Sequence, residues 1–365
     1  MRILHVITML DVGGAERLMV DLLPLLQDTG NQVDLLLFNG VETSFKALLI
    51  EKGITIYELS RGKDVHHYFW NVYNPCHIFK LKKYFQGYDI IHTHNTACQL
   101  YSAVVKRVVG LSNRFVTTEH NSYNRRRSMR CFKPIDTWMY KQYDSIVCIS
   151  DQTYHNLIDY IGSNKKIKTI YNGVDVTHFL KPIKNIQGQN QFVLTMVAAF
   201  REQKDHKTLL RAMTLLPDNY TLRLVGHGDI EESVKQYCSE LGVENRVTFM
   251  GLRMDVAEIL ESSDVVLLSS HWEGLSLSSI EGMASGRPFV ASDVDGLREI
   301  VGGAGVLFPH GDEKALANAI KELCENPIYY KQVATACQER AKNYDISKMA
   351  DSYHELYESL LRPSV

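Results

Sequence analysis

The stretch HWEGLSLSSIEGMASGRPFVASD (271–293) follows the apolar run DVVLLSS (264–270), and its reading decides the fold. A short Val/Leu run that ends in hydroxyls reads as a buried strand. Gly274 permits a tight turn after it. Ser276, Ser278 and Ser279 are good N-cap residues, so a helix is expected to start near residue 277. PFVASD (288–293) reads as the next strand, with Ala284, Ser285 and Gly286 where the helix must stop tightly against it. Strand, helix and strand in this order form the unit of a parallel sheet covered on both faces. Such sheets bind ligands beyond the carboxyl ends of their strands. Glu273 falls in that turn, and Glu281 lies one to two turns down the helix. A helix start offers free N–H groups to an anion such as a diphosphate, and the two acids suit hydroxyl groups on either side of it. A nucleotide sugar has that layout. The same residues also fit a plain turn with two surface acids.

Working outward, the pattern repeats. ILHVIT (3–8), QVDLLLF (32–38), DIIHTH (89–94), RFVTTEH (114–120), SIVCIS (145–150) and IKTIYNG (167–173) read as strands, separated by amphipathic segments such as 15–29, 43–52, 97–109 and 151–161. KPIKNIQGQNQ (181–191) is polar, carries Pro and Gly, and reads as a linker. The alternation then restarts with FVLTMVA (192–198) and runs to GVLF (305–308). We therefore expect two doubly wound Rossmann-like domains, residues 1–180 and 181–346, facing a central cleft. A final helix over 347–365 is expected to pack across the domain junction.

Composition narrows the function. The chain has 365 residues, 45% hydrophobic and 22% charged, which places it among folded globular proteins. Its net charge is −2, so no global field argues for nucleic acid. Residues 1–180 carry 21 basic against 16 acidic side chains, and residues 181–365 carry 19 against 26. An anionic surface or carrier should therefore meet the N-terminal half. Seven scattered cysteines without a C-x-x-C pair speak for reduced thiols in the cytoplasm. MRILHVITML reads as a strand rather than a signal peptide, and nothing approaches the ~20 apolar residues of a membrane span.

The run from Glu273 through Glu281 to Pro288 resembles the signature of retaining nucleotide-sugar glycosyltransferases of the GT-B fold, glycosyltransferase family 4. DVGGAER (11–17) resembles the family's N-terminal glycine loop, and TEHN (118–121) its strand-ending histidine. IYNGVDVTHF (170–179), FREQKDHKTLL (200–210), LVGHGDIEESV (224–234) and NRVTFMG (245–251) match in the same order, so the likeness spans nearly the whole chain. The resemblance implies a retaining, metal-independent enzyme with no cofactor. It would move a hexose or N-acetylhexosamine from a nucleotide-diphospho-sugar, expected to be UDP-linked, to a glycan or lipid-linked acceptor in bacterial surface polysaccharide synthesis. It also implies roles. Glu273 would hold sugar hydroxyls, and the amides of Gly274, Leu275, Ser276 and Leu277 would cradle the phosphates. Glu281 would bind the ribose, Lys204 would neutralise the diphosphate, and His120 would sit near the reacting sugar. Gly13 and Gly14 would allow close backbone approach to a ligand. The family most often places an arginine five residues before the lysine. Position 199 is Ala here, which leaves Arg201 as the candidate.

Three further features bear on partners. NSYNRRRSMRCFK (121–133) holds five basic residues and no acid, and suits either a solvated face or peripheral contact with an anionic membrane. HHYFWNVYNP (66–75) adds aromatics that suit an acceptor loop or ordinary core. His92 and His94 alternate on one face, but without carboxylate or cysteine partners they signal no metal site. Competing readings are a nucleotide-sugar epimerase or hydrolase on the same fold, and a non-catalytic nucleotide-sugar-binding scaffold. A nicotinamide dehydrogenase would need G-x-G-x-x-G, and GHGDIE (226–231) lacks the third glycine.

Overall fold

The computed structural model describes residues 1–11, 13–61, 71–120 and 125–362. It divides into two compact units, Met1–Gly173 with Ile346–Val365, and Val174–Asp345.

The first unit is built on β1 (Arg2–Ile7), β2 (Gln32–Asn39), β3 (Thr55–Ser60), β4 (Ile90–His94), β5 (Arg114–Glu119), β6 (Ser145–Cys148) and β7 (Ile167–Thr169). They form one parallel sheet in the order β3-β2-β1-β4-β5-β6-β7. β2 is buried from Val33 to Asn39 without a break, as a central strand covered on both faces must be. Alternate residues feed opposite cores. Ile3 and Ile7 pack with the helices Gly14–Asp28 and Ile346–Leu361. Leu4 and Val6 pack with His77–Phe85, Thr96–Val109 and Lys133–Lys141.

The last helix, Ile346–Leu361, is a layer of the first unit. Its stripe Ile346, Met349, Ala350, Tyr353, Leu356 and Tyr357 recurs every three to four residues and is buried against Leu18, Leu22 and their neighbours. Tyr353 and Tyr357 add hydroxyl bonds to Thr118 (2.9 Å) and His92 (2.6 Å) under the sheet.

The second unit is built on β8 (Phe192–Val197), β9 (Tyr220–Val225), β10 (Val247–Gly251), β11 (Val265–Leu268), β12 (Phe289–Ser292) and β13 (Val306–Phe308). They form a parallel sheet in the order β10-β9-β8-β11-β12-β13. The division at Gly173/Val174 precedes the expected boundary at 180/181, and the expected linker is strapped to this unit. Gln338 Nε2 donates to the Lys181 carbonyl (2.7 Å), and Arg287 Nη1 to that of Pro182 (3.0 Å). Ile186 is buried. Gly286 (φ +75°) lies so close beneath that a Cβ would meet the Lys181 and Pro182 carbonyls at 2.6 and 2.7 Å.

Elements the sequence did not announce include β3 and the helix Pro327–Ala341. That helix buries Tyr330, Val333, Ala334, Cys337 and Ala341, a periodic face made largely of small residues. Both sheets reverse their strand order once, between β1 and β4 and between β8 and β11. Those reversals are where open α/β sheets place ligands.

Candidate active site

At the reversal in the second unit, the chain leaving β8 meets the chain leaving β11. The first turns through Glu202–Lys204 into the helix His206–Leu215, and the second runs through Ser269–Ser276 into the helix Leu277–Ala284. Lys204 Nζ donates to Glu273 Oε1 at 2.5 Å. Glu273 is 5% exposed and also accepts from Ser270 Oγ at 2.5 Å and from Gln203 Nε2 at 3.4 Å. The two loops are stapled by backbone as well. His271 N–H donates to the Gln203 carbonyl (2.7 Å), and Gln203 Nε2 to that of Trp272 (2.7 Å). Lys204 and Glu273, assigned separate roles from sequence, are thus a pair in which each balances the other's charge.

The helix after Glu273 starts as its serines dictate. Ser276 is the N-cap, and its hydroxyl accepts from Ser279 N–H at 3.3 Å. The N–H groups of Leu277 and Ser278 belong to the first turn, where helix geometry supplies no partner. Leu275 and Ser276 are buried, Gly274 is half-buried, and Glu281 is half-buried in the second turn. Gly282 lets the helix lie on the sheet, since a Cβ there would meet Phe289 and Val266 at 2.7 and 2.8 Å. Gly296 (φ +83°) supports the turn from beneath: a Cβ would strike the carbonyls of Glu273, at 2.6 Å, and Gly274. Gly226 and Gly228, in the loop after β9, serve the same end. Each lies against the backbone of Ala198 or Phe200, so these glycines fit loop to loop.

Arg201 precedes this turn. It is exposed, and among the described residues its guanidinium has no hydrogen bond or ion pair. Asp205, next to Lys204, sits in the left-handed region (φ 45°) and caps the following helix through Thr208 N–H (3.2 Å). His206 is buried, stacks on Phe200 at 4.4 Å, and burial beside Lys204 lowers its pKa to about 4.

At the reversal in the first unit, Gly13 caps the helix Gly14–Asp28 with extended backbone, and a Cβ on Gly14 would meet nothing within 4 Å. Asn95, after β4, has φ 66° and ψ 150°, a region almost confined to glycine, and its amide donates to Thr8 Oγ1 at 3.0 Å. His120 follows β5 and is half-buried. Its Nε2 lies 2.9 Å from His94 Nδ1, and burial lowers its pKa to about 4 against the opposing pull of Glu119.

Two groups among the described residues could gather donor atoms around a metal: His5, His92 and His94, and Asp205, His271 and His310. In the first, hydrogen bonds already occupy most ring nitrogens. In the second, Asp205 is engaged by Thr208, and His271 Nδ1 lies 2.5 Å from His310 Nε2. The sequence did not point to Gln203, Ser270 or Asn95. The paired serines that close β11 just before Glu273 are the one signal that could have exposed Ser270.

The basic stretch departs from expectation. Residues 121–124 lie outside the described residues, as do 66–70 of the aromatic stretch. Arg127 turns inward to ion-pair with Glu119, and Arg126 pairs with the buried Asp136 at 3.2 Å. Arg130 and Lys133 remain exposed beside Met129, Ile135 and Trp138. No helix among the described residues is long and apolar enough to cross a membrane.

Two family models match successive parts of the chain. The one described as Glycosyltransferase Family 4 covers residues 12–178, and the one described as Glycosyl transferases group 1 covers residues 191–326. Joined to the two parallel-sheet units, these matches make the protein a glycosyltransferase of the GT-B fold. Among its relatives is the Escherichia coli UDP-Gal:alpha-D-GlcNAc-diphosphoundecaprenol alpha-1,3-galactosyltransferase, 27% identical over 303 residues, covering 77% of each chain. Another is the N-acetyl-alpha-D-glucosaminyl L-malate synthase of Bacillus anthracis, 25% identical over 290 residues and 76% of each chain. In fold it is similar to the crystal structure of Anabaena HepE in complex with UDP and glucose, with a TM-score of 0.84, 22% identity, and coverage of 98% of this chain and 100% of that one.

Proposed function

We propose that the protein transfers a hexose or N-acetylhexosamine from a UDP-linked donor to a glycan or lipid-linked acceptor, with retention of configuration and without a metal ion. The observation that carries this reading is the Lys204–Glu273 contact at the β8/β11 reversal, beside a serine-capped helix start. The donor diphosphate rests against the amides of Gly274 to Leu277. Lys204 turns from Glu273 to the phosphates and stabilises the departing UDP. Glu273, freed from its cation, holds sugar hydroxyls and favours the positive charge that develops at the anomeric carbon. Glu281 takes the ribose, Arg201 adds positive charge from the surface, and Gly13, Gly14 and His120 serve the sugar and acceptor.

In the transfer step the bond from the anomeric carbon to the phosphate oxygen breaks, and the acceptor oxygen bonds from the same face. The acceptor hydroxyl's proton passes to the departing phosphate oxygen, so UDP leaves carrying it. Lys204 supplies the charge that a metal would otherwise bring.

The E. coli relative supports the UDP donor and the lipid-linked acceptor, since its name specifies both. The exposed Arg130 and Lys133, with Met129, Ile135 and Trp138, support peripheral contact with an anionic membrane. A thermal-shift screen of nucleoside diphosphates and their sugars, followed by transfer assays with chelator present, tests the reading. Selective stabilisation by UDP compounds, chelator-resistant transfer and an α-linked product from an α-linked donor are expected. An inverted product overturns retention, and donor loss without an acceptor turns the reading to a hydrolase.

A further inference from the structure

Four histidines line one face of the first sheet. His5 in β1 pairs in register with His92 in β4, His94 lies two residues further along β4 opposite Thr118, and His120 lies two residues beyond Thr118. The imidazoles therefore climb toward the carboxyl edge, where the strand order reverses. Three of them are chained. His5 Nδ1 lies 3.0 Å from His94 Nε2, and His94 Nδ1 lies 2.9 Å from His120 Nε2. His92 stands apart, with Nδ1 on Tyr357 Oη (2.6 Å) and Nε2 on Thr118 Oγ1 (2.8 Å). These distances are those of hydrogen bonds, and among the described residues they leave two ring nitrogens of the three without a partner: His5 Nε2 and His120 Nδ1.

A neutral imidazole has one N–H and one lone pair. A chain of three can therefore run in only two directions, each placing an N–H at one end and a lone pair at the other. Burial holds all three neutral: it lowers His5 to about 3, His120 to about 4, and His94 well below its ordinary value. The ends differ. Both end nitrogens are enclosed in the free protein, but His5 is 0% exposed in the core, whereas His120 is half-buried at the strand end, where a substrate oxygen can become its partner. An enclosed N–H without a partner is costlier than an enclosed lone pair. The N–H therefore belongs at His120.

We propose that His94, backed by His5, is a positioning residue that holds His120 as the neutral Nδ1–H tautomer, a hydrogen-bond donor to a substrate oxygen. The inference rests on the reading above that His120 serves the sugar or acceptor. It sharpens that reading in one respect. His120 Nε2 is occupied in accepting from His94, and the chain ends blind at His5, so no proton travels along it. His120 donates a hydrogen bond and does not take the acceptor's proton, which leaves the departing phosphate oxygen as its destination.

The test is two-bond ¹H–¹⁵N correlation of the full chain labelled at histidine, with His120 assigned through a His120→Phe variant. Wild type should show His120 protonated at Nδ1 and unprotonated at Nε2. His94→Phe should return it to the Nε2–H form that free histidine prefers and lower kcat about tenfold or more, with KM for the donor unchanged. His94→Gln, whose amide can donate to Nε2, should restore the tautomer and part of kcat. His120 protonated at Nε2 in wild type overturns the proposal without any variant, and so does an unchanged tautomer in folded His94→Phe. If the tautomer is as stated but His120→Phe turns over like wild type, the relay stands and the role given to His120 falls.

Discussion

Lys204 and Glu273 stand 69 residues apart in sequence and 2.5 Å apart in space, where the chain leaving β8 meets the chain leaving β11. Each belongs to a loop that the other holds. Glu273→Gln removes a charge while keeping shape and hydrogen bonding to Ser270. It should lower kcat by about a hundredfold or more, the scale of losing one electrostatic group at a reacting centre. Lys204→Met leaves Glu273 buried without its cation. It should cost activity on the same scale and also about 3 kcal/mol of stability, seen as a lower urea midpoint. Wild-type turnover in either variant would contradict the assignment.

The support beneath Glu273 can be tested away from the chemistry. Gly296 and Gly311 share a positive φ, but a Cβ at Gly296 meets the Glu273 and Gly274 carbonyls while one at Gly311 meets nothing within 4 Å. Gly311→Ala should cost only the backbone term, about 1–2 kcal/mol, and leave turnover intact. Gly296→Ala should cost more and depress kcat, because the loop carrying Glu273 must shift. Melting curves and transfer rates on the pair check this.

The doubly wound fold was legible because its strands are buried runs such as QVDLLLF, which the structure buries from Val33 onward. The turn at Glu273 was legible because Ser276 starts the helix after it through a local capping bond to Ser279 N–H. What the sequence hid depends on partners far along the chain. The polar stretch 181–191 looked like a linker because the Arg287 and Gln338 side chains that fasten it lie about a hundred residues or more away. The last helix displayed its stripe but not its destination. The basic run looked free of acids because Glu119 and Asp136 lie just outside it. The histidine chain joins β1, β4 and β5, and only their register brings it together.

Stability should fall with acid through the buried histidines. Their folded pKa values lie below the ordinary 6.5, at about 3 for His5 and about 4 for His120 and His206, chiefly through burial. Below pH 6.5 the unfolded chain takes up protons that the folded chain refuses. The contribution of these groups is therefore complete above pH 6.5 and is lost as pH falls toward about 4. Each adds a slope of up to about 1.4 kcal/mol per pH unit. His206→Phe preserves the stack on Phe200 and should flatten the fall by one such increment, read from urea midpoints at pH 7, 6 and 5.

The arginines of the basic stretch should separate by mutation. Arg127→Ala strands Glu119 and should cost about 3 kcal/mol or more of stability, since removing one partner of a buried pair leaves an uncompensated charge. Arg130→Ala with Lys133→Ala should leave stability unchanged and weaken sedimentation with phosphatidylglycerol vesicles about tenfold. Equal binding of the double variant and wild type would remove the membrane from this face.

Hydrogen–deuterium exchange with and without UDP tests the central claim most directly, because it reports where the diphosphate rests. Slowed exchange over residues 274–278 and around Lys204, abolished in Lys204→Met, is the predicted result. Protection confined to other segments, or none at saturating UDP, would contradict the account.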